Sequence, residues 1–213
     1  MIAQGLKPAR YGELMDAYSN YSLGDLLDAF ASASPAPGGG SAAALTGALG
    51  VSLLLMAIGI RTSRPSGSPE SFELADAGEQ LRTLWAAVAS LVDRDAEAYS
   101  SVLAARRMKA EGESAMRAAT DVPLETMRVC RRALREAQVV AANAVRSTHG
   151  DVGVAVELLR AAVRAAGVTV DANLASLKDA DYVALVRTER HRLDDESGAD
   201  TESVLAYLRG RSG

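Results

Sequence analysis

Apolar residues recur at three- and four-residue intervals over most of this chain, and no stretch keeps the strict alternation of a half-buried strand. Ser22 and Asp25 have the spacing of a capping box, and Leu26, Leu27 and Phe30 follow on one helical face. That spacing predicts a short helix ending before Ser34 and Pro35. A second helix starts near Ser41, with Leu45, Leu49, Leu53 and Met56 along one side and Ala43, Gly47 and Gly50 on a small-residue side. A helix of that kind suits the middle of a bundle, where another backbone approaches closely. Pro65, Gly67 and Pro69 mark residues 61–70 as a loop.

Leu74, Leu81, Leu84, Val88, Leu91 and Val92 then predict a long helix reaching as far as Arg107, interrupted by Asp93, Asp95 and Glu97. A short helix is expected over 111–118. Thr120 to Pro123 reads as a fresh start, with proline in the first turn, of a helix running to about Arg146. Asp151 is a plausible N-cap for a helix over 152–166, continuing over 168–177 with an irregularity near Gly167. Asp179 or Asp181 caps a further helix toward Arg192, and 201–208 closes the chain. The expectation is an all-α, compact antiparallel bundle around a central small-residue-rich helix. It comprises one domain over 22–213, preceded by an N-terminal extension over 1–21.

Composition sharpens this picture. Hydrophobic residues make up 48% of the 213, but aromatics only 4%, and much of the remainder is alanine. Small side chains of high helix propensity favour closely packed helices. Ala42 to Ile60 is nineteen residues without a charge, long enough to span a bilayer. The amphipathic helices around it favour a buried bundle helix instead, so no membrane partner is expected. The net charge of −4 and pI of about 5.3 give no electrostatic case for nucleic acid. Met1 to Met15 lacks the continuous apolar core of a signal peptide, so a cytoplasmic location is expected.

Candidate chemistry is sparse. Pro37, Gly38, Gly39, Gly40 and Ser41 form an unhindered peptide directly before a helix, where free N–H groups can hold a carboxylate, a phosphate or a polar ring edge. It lacks the lysine of a phosphate-binding loop, and a tight turn permitting close helix crossing explains the same residues. Asp151 fits a general base or an N-cap; His149 fits a proton carrier or a surface turn residue. Asp93 and Asp95, two apart on a helix, cannot share a face. Arg61 and Arg64 suit an anionic substrate tail, and equally a helix end. Arg131, Arg132 and Arg135 read as a solvated face. His149 and His191 lie 42 residues apart and Cys130 is the one cysteine, so neither metal nor disulfide is expected.

The run Pro35 to Leu45, then Gly47 to Gly50 and Met56, resembles the signature of the cyclodeaminase/cyclohydrolase family. The likeness continues through Leu91 to Tyr99, Val122 to Leu124, Ser147 to Ala155, Asn173-Leu174 and Lys178-Asp179, and covers roughly residues 22–185. The resemblance implies a helical, typically dimeric enzyme acting on one-carbon tetrahydrofolates. Such enzymes hydrate the 5,10-methenyl bridge to the 10-formyl compound, or release ammonia from 5-formimino-tetrahydrofolate as the ring closes. It further implies that the Gly38 to Ser41 turn lines the ligand cleft, with Asp151, Asp95 and Asn173 on its polar side. A homodimer, a small-molecule substrate, and no cofactor beyond a tetrahydrofolate-type substrate follow from the same likeness. Two other readings remain: a divergent enzyme making or hydrolysing C–N bonds in another small molecule, and a non-catalytic helical assembly protein.

Overall fold

The computed structural model describes residues 17–63, 70–108 and 112–211. Six helices follow in order: α1 (Leu23–Ala31), α2 (Gly39–Thr62), α3 (Glu70–Arg107), α4 (Glu113–Asn143), α5 (His149–Leu174) and α6 (Ala180–Gly210). There is no strand among the described residues. Single 3-10 turns at Tyr18–Asn20 and Arg146–Thr148 precede α1 and α5. The start of α1 is capped as its sequence predicts, Ser22 Oγ accepting from the Asp25 N–H. Of the extension over 1–21, residues 1–16 lie outside the described residues, while Tyr18 is buried and its N–H donates to Asp93 Oδ1 at 2.6 Å.

Contacts between helices fix their directions. Gly39 lies near Thr169, Gly47 near Ala162, and Gly50 near Leu159 and the Ala155 carbonyl, so α2 and α5 are antiparallel. Ser41 meets Val92 and Ser52 meets Trp85, so α3 also runs against α2. Gly47 faces Cys130 of α4, and Arg128 of α4 grips Glu189 of α6. Thus α2, α4 and α6 run one way and α3 and α5 the other. A Cβ on Gly47 would stand 2.5 Å from Cys130 Sγ, and one on Gly50 2.8 Å from Leu159 Cγ and 2.9 Å from the Ala155 carbonyl. These glycines set how closely α2 approaches its neighbours. Cys130 is fully buried, and loss of solvation pushes its thiol up to about 12.

Several expectations change. The core side of α2 is its small-residue side, and the leucine stripe lies at the margin: Leu45 and Leu53 are half-buried against the core, while Leu49 is 53% and Met56 39% exposed. The helix is long and apolar enough to cross a membrane, with mean hydropathy 2.1, yet half of that stretch is buried within the bundle. There is no fresh start at Pro123; α4 runs through it. Proline cannot donate to the carbonyl four residues back. That acceptor, the Ala119 oxygen, instead receives Asn173 Nδ2 at 2.8 Å. Helix α5 begins at His149 and not after Asp151, and passes Gly167 without a break. Gly167 makes room for the Arg190 guanidinium, whose nearest atoms would lie 3.3 Å from a Cβ there. The two C-terminal helices expected are the single α6, with Asp179 as N-cap accepting from Tyr182 N–H at 3.0 Å. Arg131 is no solvated residue either: it pairs with Glu196 at 3.3 Å and Asp200 at 3.4 Å across the α4–α6 seam.

Candidate functional site

The α2 start is an unusual helix terminus. Gly38 occupies the N-cap position and has no side chain to offer the free N–H groups of the first turn. A carboxylate from another helix takes that part: Asp95 Oδ2 accepts from Ser41 N–H at 2.8 Å. The Ser41 hydroxyl lies 3.0 Å from the same oxygen and 2.9 Å from the Val92 carbonyl, with one proton for two acceptors. Gly40 is what lets the carboxylate in, because a Cβ there would stand 2.0 Å from Asp95 Oδ1. Pro37, at a cis peptide bond after Ala36, is buried just before the turn. Burial raises the Asp95 carboxyl above the ordinary aspartate range, and its bonds to Ser41 only partly oppose this. A carboxyl so placed can hold or give up a proton, or face a cation, at the mouth of a glycine turn.

Asn173 belongs to the same end of the bundle, one turn beyond Thr169, which faces Gly39. Its amide donor is already engaged by the Ala119 carbonyl, so its observed work is to mend the gap that Pro123 leaves in α4. Nearby, Tyr182 donates to Asp121 at 2.7 Å and Arg117 stacks 4.9 Å from its ring. Arg117 also pairs with Asp179, joining α4 to α6.

Asp151 and His149 do not join this group within one chain. Helix α5 carries them to its other end, 22 residues from Asn173 for Asp151, about 33 Å at the helical rise. Asp151 sits in the first turn of α5 but is not its N-cap, a position taken by Thr148. The carboxylate there still complements the positive helix end. His149 Nδ1 is buried with no hydrogen-bond partner among the described residues. Arg61, in the last turn of α2, belongs to that far end too, and Arg64 lies outside the described residues. Among the described residues no three His, Cys, Asp or Glu side chains converge as a metal site would require. Sequence reasoning missed the purpose of Asp95 as a cap supplied by another helix of the same chain; Gly38 at an N-cap with no side-chain acceptor of its own was the available signal.

An antiparallel helical bundle with a glycine-introduced central helix and a desolvated carboxylate at its start is the class that these features define. Residues 22–192 match the formiminotransferase-cyclodeaminase family, and the chain belongs to it. It is therefore an enzyme of cyclohydrolase/cyclodeaminase type. It is 29% identical over 203 residues to a methenyltetrahydrofolate cyclohydrolase of Methylorubrum extorquens, covering 90% of this chain and 98% of that protein. The fold matches the crystal structure of formiminotetrahydrofolate cyclodeaminase from Thermotoga maritima with a TM-score of 0.85 at 22% identity. That match covers 91% of this chain and 98% of the other.

Proposed function

We propose that this protein is a methenyltetrahydrofolate cyclohydrolase, converting 5,10-methenyl-tetrahydrofolate and water to 10-formyl-tetrahydrofolate. The observation that carries this reading is the near full-length similarity to a protein of that name, combined with a desolvated Asp95 at the glycine turn. The substrate carbon between N5 and N10 bears a delocalised positive charge. A carboxylate in a low-dielectric pocket stabilises that charge far better than water does. Water adds to the carbon and a carboxylate takes one of its protons, leaving a neutral carbinol; as the bond from carbon to N5 breaks, the carbinol hydroxyl gives up its own proton to become the formyl oxygen, N5 takes up one proton, and the other is released to solvent. Asp95, at the glycine turn, is the carboxylate assigned to this work.

The second reading is formimino-tetrahydrofolate cyclodeaminase, favoured by the fold neighbour of that name. There the same carboxyl group protonates a leaving amine. We place the protein as soluble and cytoplasmic, needing no metal or separate cofactor. Product analysis tests the choice. Incubation with 5,10-methenyl-tetrahydrofolate yields the 10-formyl compound by mass spectrometry, and 5-formimino-tetrahydrofolate yields no ammonia above background. Ammonia release from the formimino compound, without turnover of the methenyl compound, overturns the cyclohydrolase assignment.

A further inference from the structure

Beside the glycine turn, α5 leads away along the bundle. Thr169 lies 3.7 Å from where a Cβ on Gly39 would stand, so the residues of α5 just before it border the start of α2. Ala161, Ala165 and Val168, three and four residues apart, share one outward face of that stretch. With Arg164 of α5 and Arg190 and Asp194 of α6 they line a cavity of about 400 Å³, in the size range of small-molecule sites. The floor on α5 is flat and apolar, and the charged groups stand toward α6. Their charges do not balance. Asp194 is held by Arg160 and by Arg190 Nη1 at 3.2 Å, and Arg190 Nη2 pairs with Asp171 at 3.1 Å. Arg160 is occupied further by the Asp194 carbonyl at 2.7 Å and the Ser197 hydroxyl at 2.6 Å. Arg164 is exposed and has neither ion pair nor hydrogen bond among the described residues, so three guanidiniums stand against two carboxylates that are already engaged. An arginine in that position offers a free fork to a carboxylate from solution.

We infer that this cavity receives the p-aminobenzoyl-glutamate tail of the substrate, with the benzene ring on the Ala161, Ala165 and Val168 floor and a glutamate carboxylate on Arg164. The inference rests on the folate reading above. Two observations choose this ligand chemistry. An apolar ring ending in carboxylates matches a cavity with an apolar floor and one unpaired guanidinium at its side. The length also fits: from N10 to the first carboxylate the tail extends about 10 Å at ordinary bond lengths, and α5 from Thr169 back to Ala161 spans about 12 Å. The reacting carbon can then lie at Asp95 while the tail crosses to Arg164. Arg61, which the sequence offered for an anionic tail, stands 21 residues beyond Gly40 on the straight run of α2, about 32 Å away and out of reach. Gly167 serves the same cavity: a Cβ there would lie 3.3 Å from Arg190 Nε, so glycine lets the Arg190 guanidinium rest against α5.

Arg164→Gln tests this, because an exposed residue with no partner can change without unfolding the chain. The variant raises KM for 5,10-methenyl-tetrahydrofolate about tenfold, with a much smaller change in kcat, as loss of one charge-assisted contact does. With 5,10-methenyl-tetrahydropteroate, which lacks the glutamate, wild type and variant give the same KM. Arg192→Gln removes an equal charge from α6 at a residue paired with Glu189 and Glu196, and leaves KM unchanged. Calorimetry with p-aminobenzoyl-glutamate alone shows binding to wild type that is about tenfold weaker in Arg164→Gln, while p-aminobenzoate does not distinguish the two proteins. An unchanged KM in Arg164→Gln, or an equal rise with the substrate that lacks glutamate, overturns the inference and leaves the cyclohydrolase reading standing. A wild type that turns over neither folate overturns that reading; p-aminobenzoyl-glutamate binding then decides the cavity by itself, and its absence from the wild type overturns the inference too.

Discussion

The two ends of the α2–α5 pair are built differently. At the glycine-turn end, polar groups are tied to each other: Asp95 to Ser41, Asn173 to the Ala119 carbonyl, Tyr18 N–H to Asp93. At the other end, Asp151 shows no side-chain partner among the described residues, and His149 Nδ1 is buried without one. A tied carboxylate is held in register by its own fold and needs no ligand to order it. A carboxylate without a partner contributes little to the fold, so the open end is expected to tolerate substitutions that the tied end does not.

The sharpest way to break the ordered end is Gly40→Ala. The new Cβ would meet Asp95 Oδ1 at 2.0 Å, so the carboxylate must leave Ser41. We expect stability to fall by about 1–3 kcal/mol, as overpacking does, and activity to fall at least a hundredfold; urea denaturation and turnover measure the two. Gly150→Ala, at the open end with nothing within 4 Å, leaves stability within about 0.5 kcal/mol of wild type.

Asn173→Ala is next. It strands the Ala119 carbonyl beside Pro123, at a cost of about 1–3 kcal/mol. The cost shrinks in a Pro123→Ala background, where a backbone N–H can serve that carbonyl again. Equal losses in the two backgrounds would assign Asn173 some other work.

The smallest effect is on pH. The Asp95 carboxyl is raised above its ordinary value of 3.8, so the folded state holds this proton more tightly than the unfolded chain. Its contribution to stability therefore declines as pH rises from about 3.8 through the folded value, and Asp95→Asn removes that decline. Urea midpoints across mildly acid pH for both proteins read the difference. Steeper loss in the variant would reverse the sign and the account of Asp95.

The helical class, the capped start of α1 and the glycine-led α2 were legible because each is a local signal: periodicity, a capping box, a charge-free run. Which side of α2 faces inward was not, because both its leucines and its glycines keep a helical period, and only neighbouring backbones choose between them. Pro123 misled as a helix start because its repair comes from Asn173, fifty residues later in sequence. For the same reason Asp95 and Ser41 were both identifiable as candidates, but their bond joins α3 to α2 and has no local signature. Asp151 was grouped with the turn by the resemblance, and the length of α5 separates the two.

The most direct test of the central claim is the decay of 5,10-methenyl-tetrahydrofolate absorbance, at a pH where uncatalysed hydrolysis is slow. Wild-type protein is expected to accelerate it, and Asp95→Asn, folded by circular dichroism, to lose that acceleration at least a hundredfold. A folded wild type that leaves the decay rate at its uncatalysed value, or an Asp95→Asn variant as fast as wild type, would contradict the account.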